Sequence, residues 1–445
     1  MLNRFLAFLN KPSSIAPLSN LRVLFGFLML WSTLRFVFYG WIETQYNEPI
    51  FHFSYFGFEW VSYPGPTWMY VLFALMILSS IGIMLGLFYR ISAVIFFLSF
   101  TYVELIDLTN YLNHYYFVSL LAFMMIFLPA HKSFSIDSQR IKNNVATHVP
   151  YGFIFSVKLL LAIVYFYAGV AKLNHEWLIE ALPLKIWLAP HTSLPLIGSF
   201  LDKLWVAYLF SWFGAIYDLS IPFFLFSKKY RSLAFLAVVI FHITTWILFP
   251  IGMFPFIMIG LTTVFFSADT HEKIQAFFNK EKVAIQEKIL YKPQNLSLLT
   301  GLFFLFFSFQ ILFPFRYLLY PGNLFWTEQG YRFSWRVMLM EKAGYAIFHV
   351  TDPDTGRSWE LYPKDYLSPM QQKQMSTQPD MILQFAHFLE DSLKKQGISK
   401  PEIRAEVYVS LNGRGSQLFL DPNQDLTQIK DSFAPKNWIL PLSNQ

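Results

Sequence analysis

Lys172 closes the stretch YFYAGVAK at the end of a long apolar segment, Tyr151 to Val170, with aromatic residues and the small Gly169 and Ala171 around it. An amine in that setting has two readings. It can snorkel, with its stem in hydrocarbon and its ammonium in the interface. Alternatively, desolvation disfavours the charge and makes the amine a base that works near neutral pH. Other polar groups stand in equally apolar surroundings: Asp107, Asn113 and His114 in DLTNYLNHYYF, Asp218 in YDLSIPFFLF, and His242 ahead of FPIGMF, Phe249 to Phe254. Asp218 reads either as a structural hydrogen-bond acceptor or as part of a proton path. Pro250 and Gly252 break a helix and let backbone approach a ligand.

These residues need membrane helices to hold them. The 445 residues are 55% hydrophobic, 20% aromatic and only 14% charged, with mean hydropathy +0.40, against about 25% charged in soluble domains. Apolar runs at 21–39, 67–88, 91–107, 113–129, 151–171, 205–226, 231–248, 251–267 and 296–318 predict about nine spans. Asp107–Asn113 and Phe249–Gly252 divide two nearly continuous runs into hairpins. Basic residues recur in alternate connections: Arg4 and Lys11; Arg90; Lys132, Arg140 and Lys142; Lys228, Lys229 and Arg231; Lys273, Lys280, Lys282, Lys288 and Lys292. The positive-inside rule then predicts a cytoplasmic N-terminus, a retained first anchor and an external C-terminus. With that topology Lys172, Asn113, His114, His242 and the Phe249–Phe254 turn share the outer half of the membrane. They outline an aromatic pocket with a few polar groups, suited to a lipophilic ring compound. Arg35, inside the first span, needs a partner, for which Asp107 is the candidate.

Residues 1–318 read as the helical membrane domain that carries the catalytic groups. Residues 319–445 read as an extracytoplasmic α+β or sandwich-like domain. Phe333–Met340, Ala346–Thr351 and Ser358–Leu361 have strand character, Pro379–Lys395 is an amphipathic helix, and Ile403–Leu411 and Gln417–Leu420 flank an Asn412-Gly413 hairpin turn. The chain has no cysteine, which excludes disulfides, thiolate metal sites and cysteine nucleophiles. The ten histidines show no metal-binding spacing, and no phosphate-binding glycine motif occurs. The net charge of +6 is spread over short loops, so it forms no nucleic-acid patch.

The stretches IGIMLGLFYRIS, the Asp107–Asn113–His114 turn, YFYAGVAKL, YDLSIPFFLF, FHITTWILFPIGMF, WTEQGYRFSWRVM and VYVSLNGRGSQLFLDP follow one another along the chain. Through them the sequence resembles the vitamin K-dependent γ-glutamyl carboxylase family, whose membrane part is the horizontally transferred transmembrane domain. The absence of cysteine and the short length suit a bacterial relative in the inner membrane. The resemblance implies an enzyme that oxidises reduced vitamin K, phylloquinone or menaquinone hydroquinone, with O2 to the epoxide. The strong base so formed removes a γ-proton from glutamate in an exported protein or peptide, and CO2 adds; no metal is implied. It implies that Lys172 deprotonates the hydroquinone and that His114 assists the reactive anion. Asn113, His242, Phe249, Gly252 and Met253 would form the quinone pocket, and Tyr331 and Trp335 would engage the glutamyl substrate. The alternatives are a quinol epoxidase without protein carboxylation and a non-catalytic quinone- or lipid-binding membrane protein.

Overall fold

The computed structural model describes residues 2–141, 145–279 and 288–443; Lys142, Lys280 and Lys282, which contribute to the charge alternation, lie outside them. Seven described helices are long and apolar enough to cross a membrane: α1 (Ala16–Phe38), α2 (Pro66–Leu85), α3 (Tyr89–Ile106), α5 (Tyr151–Ala171), α6 (Leu204–Phe226), α7 (Arg231–Leu248) and α9 (Leu296–Leu312, continuing as a 3-10 turn to Leu319). Two shorter apolar helices, α4 (Asn113–Phe127) and α8 (Phe254–Thr262), occupy the other two predicted positions. Both follow the predicted breaks and are shorter than the apolar runs suggest. Ahead of α4, Asp107 accepts from Thr109 N at 2.9 Å and Thr109 Oγ1 at 2.7 Å, which turns the chain through Leu108–Asn110. Ahead of α8, Gly252 sits at φ +60°, where a side chain would be strained.

Small residues bring particular helices together. A Cβ at Gly169 of α5 would lie 2.6 Å from Leu219 N of α6, and one at Gly26 of α1 would lie 2.5 Å from Met84 N of α2. Only hydrogen side chains permit those crossings. At the end of the bundle away from the C-terminal region, buried Arg22 donates to Ile83 O (2.7 Å), Met84 O (2.5 Å), Ala130 O (3.2 Å) and Phe134 O. One guanidinium thereby satisfies carbonyls that the end of α2 leaves open. Tyr89, at the turn between α2 and α3, is buried beside it, stacked on His131 with ring centroids 4.9 Å apart.

The C-terminal region is α+β. Four antiparallel strands, β1 (Lys342–Thr351), β2 (Ser358–Leu361), β3 (Glu402–Leu411) and β4 (Gln417–Leu418), form one sheet in the order β2-β1-β3-β4. Between β2 and β3 come α10 (Pro369–Met375) and α11 (Pro379–Lys395). Alternate residues of β3, Ile403, Ala405, Val407, Val409 and Leu411, are buried, as are Ile382, Phe385, Leu389 and Leu393 of α11. A period of two meets a period of 3.6 on a single covered sheet face, so the helix does the work a second sheet would do in a sandwich.

Phe333–Met340 is not a strand. Glu328, Phe333, Trp335 and Met338 take left-handed φ values of 55°, 57°, 60° and 52°. The segment coils so that Phe333 and Trp335 both pack on Tyr116 of α4, at ring distances of 5.0 and 5.1 Å. Tertiary docking overrides the local alternation here. Arg332 meanwhile reaches Asp380 at 2.5 Å. Burial raises the Asp380 carboxyl, but Arg332 beside it outweighs that effect and holds it below its ordinary value. The pair's contribution is therefore complete above the usual carboxylate pKa of about 3.9 and fades as pH falls below it.

The sheet domain is fastened to the helices by polar contacts as well as apolar ones. Gln371 donates to Asp107 Oδ2 at 2.9 Å and to Phe51 O at 2.7 Å. Gln384 exchanges two bonds with the Ser54 backbone, and Arg414 lies 3.3 Å from Glu176.

Candidate functional site

The N-terminus of α4, the C-termini of α5 and α7 and the N-terminus of α8 lie at the end of the bundle that meets the sheet domain. Lys172 caps α5. Its Nζ lies 2.6 Å from Asp218 Oδ2 on α6 and 3.3 Å from Ala168 O, and 5.4 Å from the centre of the Trp177 ring. The two side chains are only 8% and 6% exposed, so Lys172 points inward and does not snorkel. Gly214 leaves room for its stem, since a Cβ there would lie 3.9 Å from Lys172 Cε. Trp177 is fixed by its Nε1 donating to Ser211 O at 2.8 Å. The expectation of a bare amine among apolar groups needs correcting, because α6 supplies a carboxylate. A buried ion pair holds only when its geometry is close, and here the contact is 2.6 Å with a second acceptor, Ala168 O, for the ammonium.

His242 of α7 is buried next to α5. Its Nε2 is 3.1 Å from Tyr165 Oη, which is also 3.3 Å from Thr262 Oγ1 of α8. Its Nδ1 is buried and has no hydrogen-bond partner among the described residues. Tyr217, adjacent to Asp218, packs on Phe241, adjacent to His242, with centroids 4.1 Å apart. The Lys172 pair and His242 are thereby joined through neighbouring aromatic residues. His114 and His242 flank the same ring, Phe254, at centroid distances of 5.7 and 5.6 Å. The Phe249–Phe254 turn supplies that ring. Its Met253 is buried in the helical core, while Phe249 packs on Trp187 at 6.0 Å in the core shared with the sheet domain. Gly252 leaves space beside Arg35, where a Cβ would lie 3.8 Å from a guanidinium nitrogen.

Asn113 is already engaged. It donates to Arg336 O at 2.9 Å and accepts from Tyr111 Oη at 3.1 Å. It therefore anchors the coiled Glu328–Met338 segment to the helix that carries His114. Trp335 lies within that segment, 1% exposed, with its indole N–H unpartnered among the described residues. Tyr331 is half-buried against Phe325, and burial pushes its hydroxyl pKa up. Arg35 does not meet Asp107. It lies 5.1 Å over the Trp41 ring, while Thr109 and Gln371 occupy the Asp107 carboxylate.

A cavity of about 980 Å³ lies on the other side of α4, between α3, α4, α9 and the sheet domain. None of the nine predicted site residues lines it. Among the described residues, no group of three or more His, Cys, Asp or Glu could hold a metal ion.

Two family models match this chain: the HTTM domain over residues 10–270, and the vitamin K-dependent gamma-carboxylase lumenal domain over residues 295–445. The chain belongs to the vitamin K-dependent γ-carboxylase family. No solved structure matches it significantly. As a member of that family it is an integral membrane protein, and its C-terminal domain corresponds to the lumenal, extracytoplasmic one.

Sequence reasoning did not pair Asp218 with Lys172, and it gave no role to Tyr165, Glu104 or Arg316. Asp218 and Glu104 carried a signal, being carboxyls within apolar runs. The Lys172–Asp218 pair yields a stability prediction. Asp218→Asn leaves a buried ammonium without its counter-charge and should destabilise the solubilised protein by about 3–5 kcal/mol. Lys172→Met combined with Asp218→Leu should recover most of that loss in thermal unfolding. A double variant as unstable as the single one would show that the pair is not the stabilising unit.

Proposed function

We propose that this carboxylase-family protein couples O2-dependent epoxidation of a reduced naphthoquinone to γ-carboxylation of glutamate in a protein or peptide presented outside the membrane. The observation that carries the reading is the buried Lys172–Asp218 pair, joined through Tyr217 and Phe241 to His242. The surroundings suit a quinone ring. The Phe254 ring packs against both His114 and His242, and among the described residues His242 Nδ1 has no partner and can meet a ligand oxygen. When bound, the reduced quinone supplies, on reaction with O2, a base far stronger than any side chain, which a γ-proton requires.

The chain's own task is to start that chemistry and keep it dry. An internal proton shift across the 2.6 Å contact, from Lys172 to Asp218, frees the amine without releasing a proton to solvent. The amine then accepts a phenolic proton, so the pair as a unit gains one proton. Asp218 is thus the positioning and proton-sharing partner, and Lys172 is the group that meets the hydroxyl. His242 orients the ring oxygen, with Tyr165 and Thr262 fixing its imidazole. His114, buried against Phe254, stabilises developing negative charge. The coiled segment held by Asn113 closes the end of α4 against water, and Tyr331 within it engages the glutamyl chain.

The deciding assay is incubation with reduced vitamin K, O2, labelled bicarbonate and a glutamyl peptide, with epoxide and carboxylated product scored separately. Both products are expected. Epoxide alone would make the protein a quinol epoxidase, and neither product would make it a binding protein. Lys172→Ala and Asp218→Asn should each abolish both products near neutral pH, and the double variant should be no worse, as for residues acting as a unit. A small exogenous amine should restore part of the Lys172→Ala activity. Near-wild-type epoxidation by Lys172→Ala would overturn the assignment.

Tyr331→Ala should weaken use of the glutamyl peptide more than epoxide formation. Equal loss of both activities in a folded variant would refute that division of labour.

The orientation is tested on the natural cysteine-free background. Ser376 of the sheet domain is only 2% exposed, so it is no site for labelling. Ser399 of the sheet domain and Gln139 at the opposite end are both exposed. Cysteine at Ser399, but not at Gln139, should react with an impermeant thiol reagent in intact cells. The reverse pattern would invert the topology.

A further inference from the structure

The cavity beyond α4 is unlike the site already described. Its lower wall is hydrocarbon: Phe97 of α3, Phe123 of α4, and Leu302, Phe306 and Phe309 of α9. Leu305, also in this wall, is 69% exposed on the outside of α9, so the trough opens sideways where lipid lies. Its upper wall is charged and formed mostly by the sheet domain. There Arg332 pairs with Asp380, Lys436 with Asp431, and Glu328 with Lys342.

Two charged groups in the wall have no counter-ion among the described residues. Glu104, near the end of α3, makes no hydrogen bond or ion pair there, although it is half-buried and lines the cavity. Arg316, just past α9, donates only to the backbone carbonyls of Phe313, at 3.2 Å, and Arg332, and lies over the Phe313 ring. The two do not meet. A carboxyl isolated in apolar surroundings is costly unless something completes it.

We propose that this cavity binds a zwitterionic bilayer phospholipid, with its acyl chains in the trough, its phosphate at Arg316 and its primary ammonium at Glu104. That arrangement engages both unpaired charges and the apolar wall together. An uncharged quinone ring with its tail would leave both charges unmet. A glutamyl side chain would meet Arg316 but leave Glu104 and the trough empty. A primary ammonium also donates hydrogen bonds to a carboxylate, which selects phosphatidylethanolamine over phosphatidylcholine. Phosphatidylglycerol, which lacks an amine, offers Glu104 nothing.

The test uses the full chain, delipidated in detergent and then equilibrated with equal amounts of phosphatidylethanolamine, phosphatidylcholine and phosphatidylglycerol. Retained lipid is read by native mass spectrometry. The protein should retain phosphatidylethanolamine about tenfold over phosphatidylglycerol, a preference one charge-assisted contact can supply. Glu104→Gln should erase that preference while keeping the protein folded, because it removes an uncompensated carboxyl. Arg316→Gln should weaken retention of all three lipids. Leu302→Trp fills the trough and touches neither charge, and it should exclude every phospholipid. An unchanged preference in Glu104→Gln, lipid retained by Leu302→Trp, or displacement of the lipid by reduced vitamin K or glutamyl peptide would each overturn the proposal.

Discussion

The Lys172–Asp218 contact governs how the helical half can be assembled. A 2.6 Å pair between the end of α5 and the middle of α6 requires the two helices to cross closely. Gly169 permits this, because any larger residue would strike the α6 backbone at Leu219. Once α6 is fixed, Tyr217 points to Tyr165 and Phe241, and α7 is drawn in with His242. Tyr165 then reaches Thr262 of α8. A polar pair that is expensive to bury thus sits at the origin of a packing chain that fixes four helices. The energetics favour this pair for specificity more than for raw stability, since an apolar replacement of both partners would pack as well.

The sheet domain adds a second constraint, acting through a loop held in uncommon backbone conformations. Four non-glycine residues between Glu328 and Met338 lie in the left-handed region. Each costs free energy and persists only where its surroundings fix it. Those surroundings are on α4 and its approach: Asn113 on Arg336 O, Tyr111 Oη on Phe333 N at 2.7 Å, and Tyr116 between two aromatic rings. The start of α4, including His114, is therefore held from above by the extracytoplasmic domain. These contacts give a direct physical route between the extracytoplasmic domain and the buried His114.

Much of this was legible in the sequence, and the illegible part has a definite physical character. Apolar runs and their breaks located the seven long apolar helices and the two shorter ones among the described residues, because hydrophobicity is local information. The amphipathic Pro379–Lys395 helix and the strand Ser358–Leu361 appear at the residues their periodicity predicts. Lys172 was visible as a charge ending an apolar run. Its partner was not, because the pairing spans 46 residues and depends on the crossing set at Gly169. The same blindness assigned Asp107 to Arg35. Arg35 instead lies over the Trp41 ring, and Asp107 is completed by its own turn and by Gln371, 264 residues away. Phe333–Met340 alternates like a strand, and only its docking on α4 shows why it coils.

The molecule therefore separates two kinds of buried charge on either side of α4. On the α5–α7 side, Lys172 is paired with Asp218 and His242 is bonded to Tyr165, while Tyr217 Oη and His242 Nδ1 are without a partner among the described residues. On the α3–α9 side, Glu104 and Arg316 stand apart along a trough open to the bilayer. For the proposed proton chemistry the contact that matters is the 2.6 Å one between Lys172 and Asp218, because a proton crosses one hydrogen bond at a time. The proposed phospholipid instead needs its two charges met at separate points. Tyr116 and Gln310, bonded at 3.0 Å between α4 and α9, belong to the wall of the second site, while Tyr116 also supports the loop above the first. Whatever fills the trough therefore meets the same side chain that holds the loop above the start of α4, so the cavity and the candidate site share one aromatic ring.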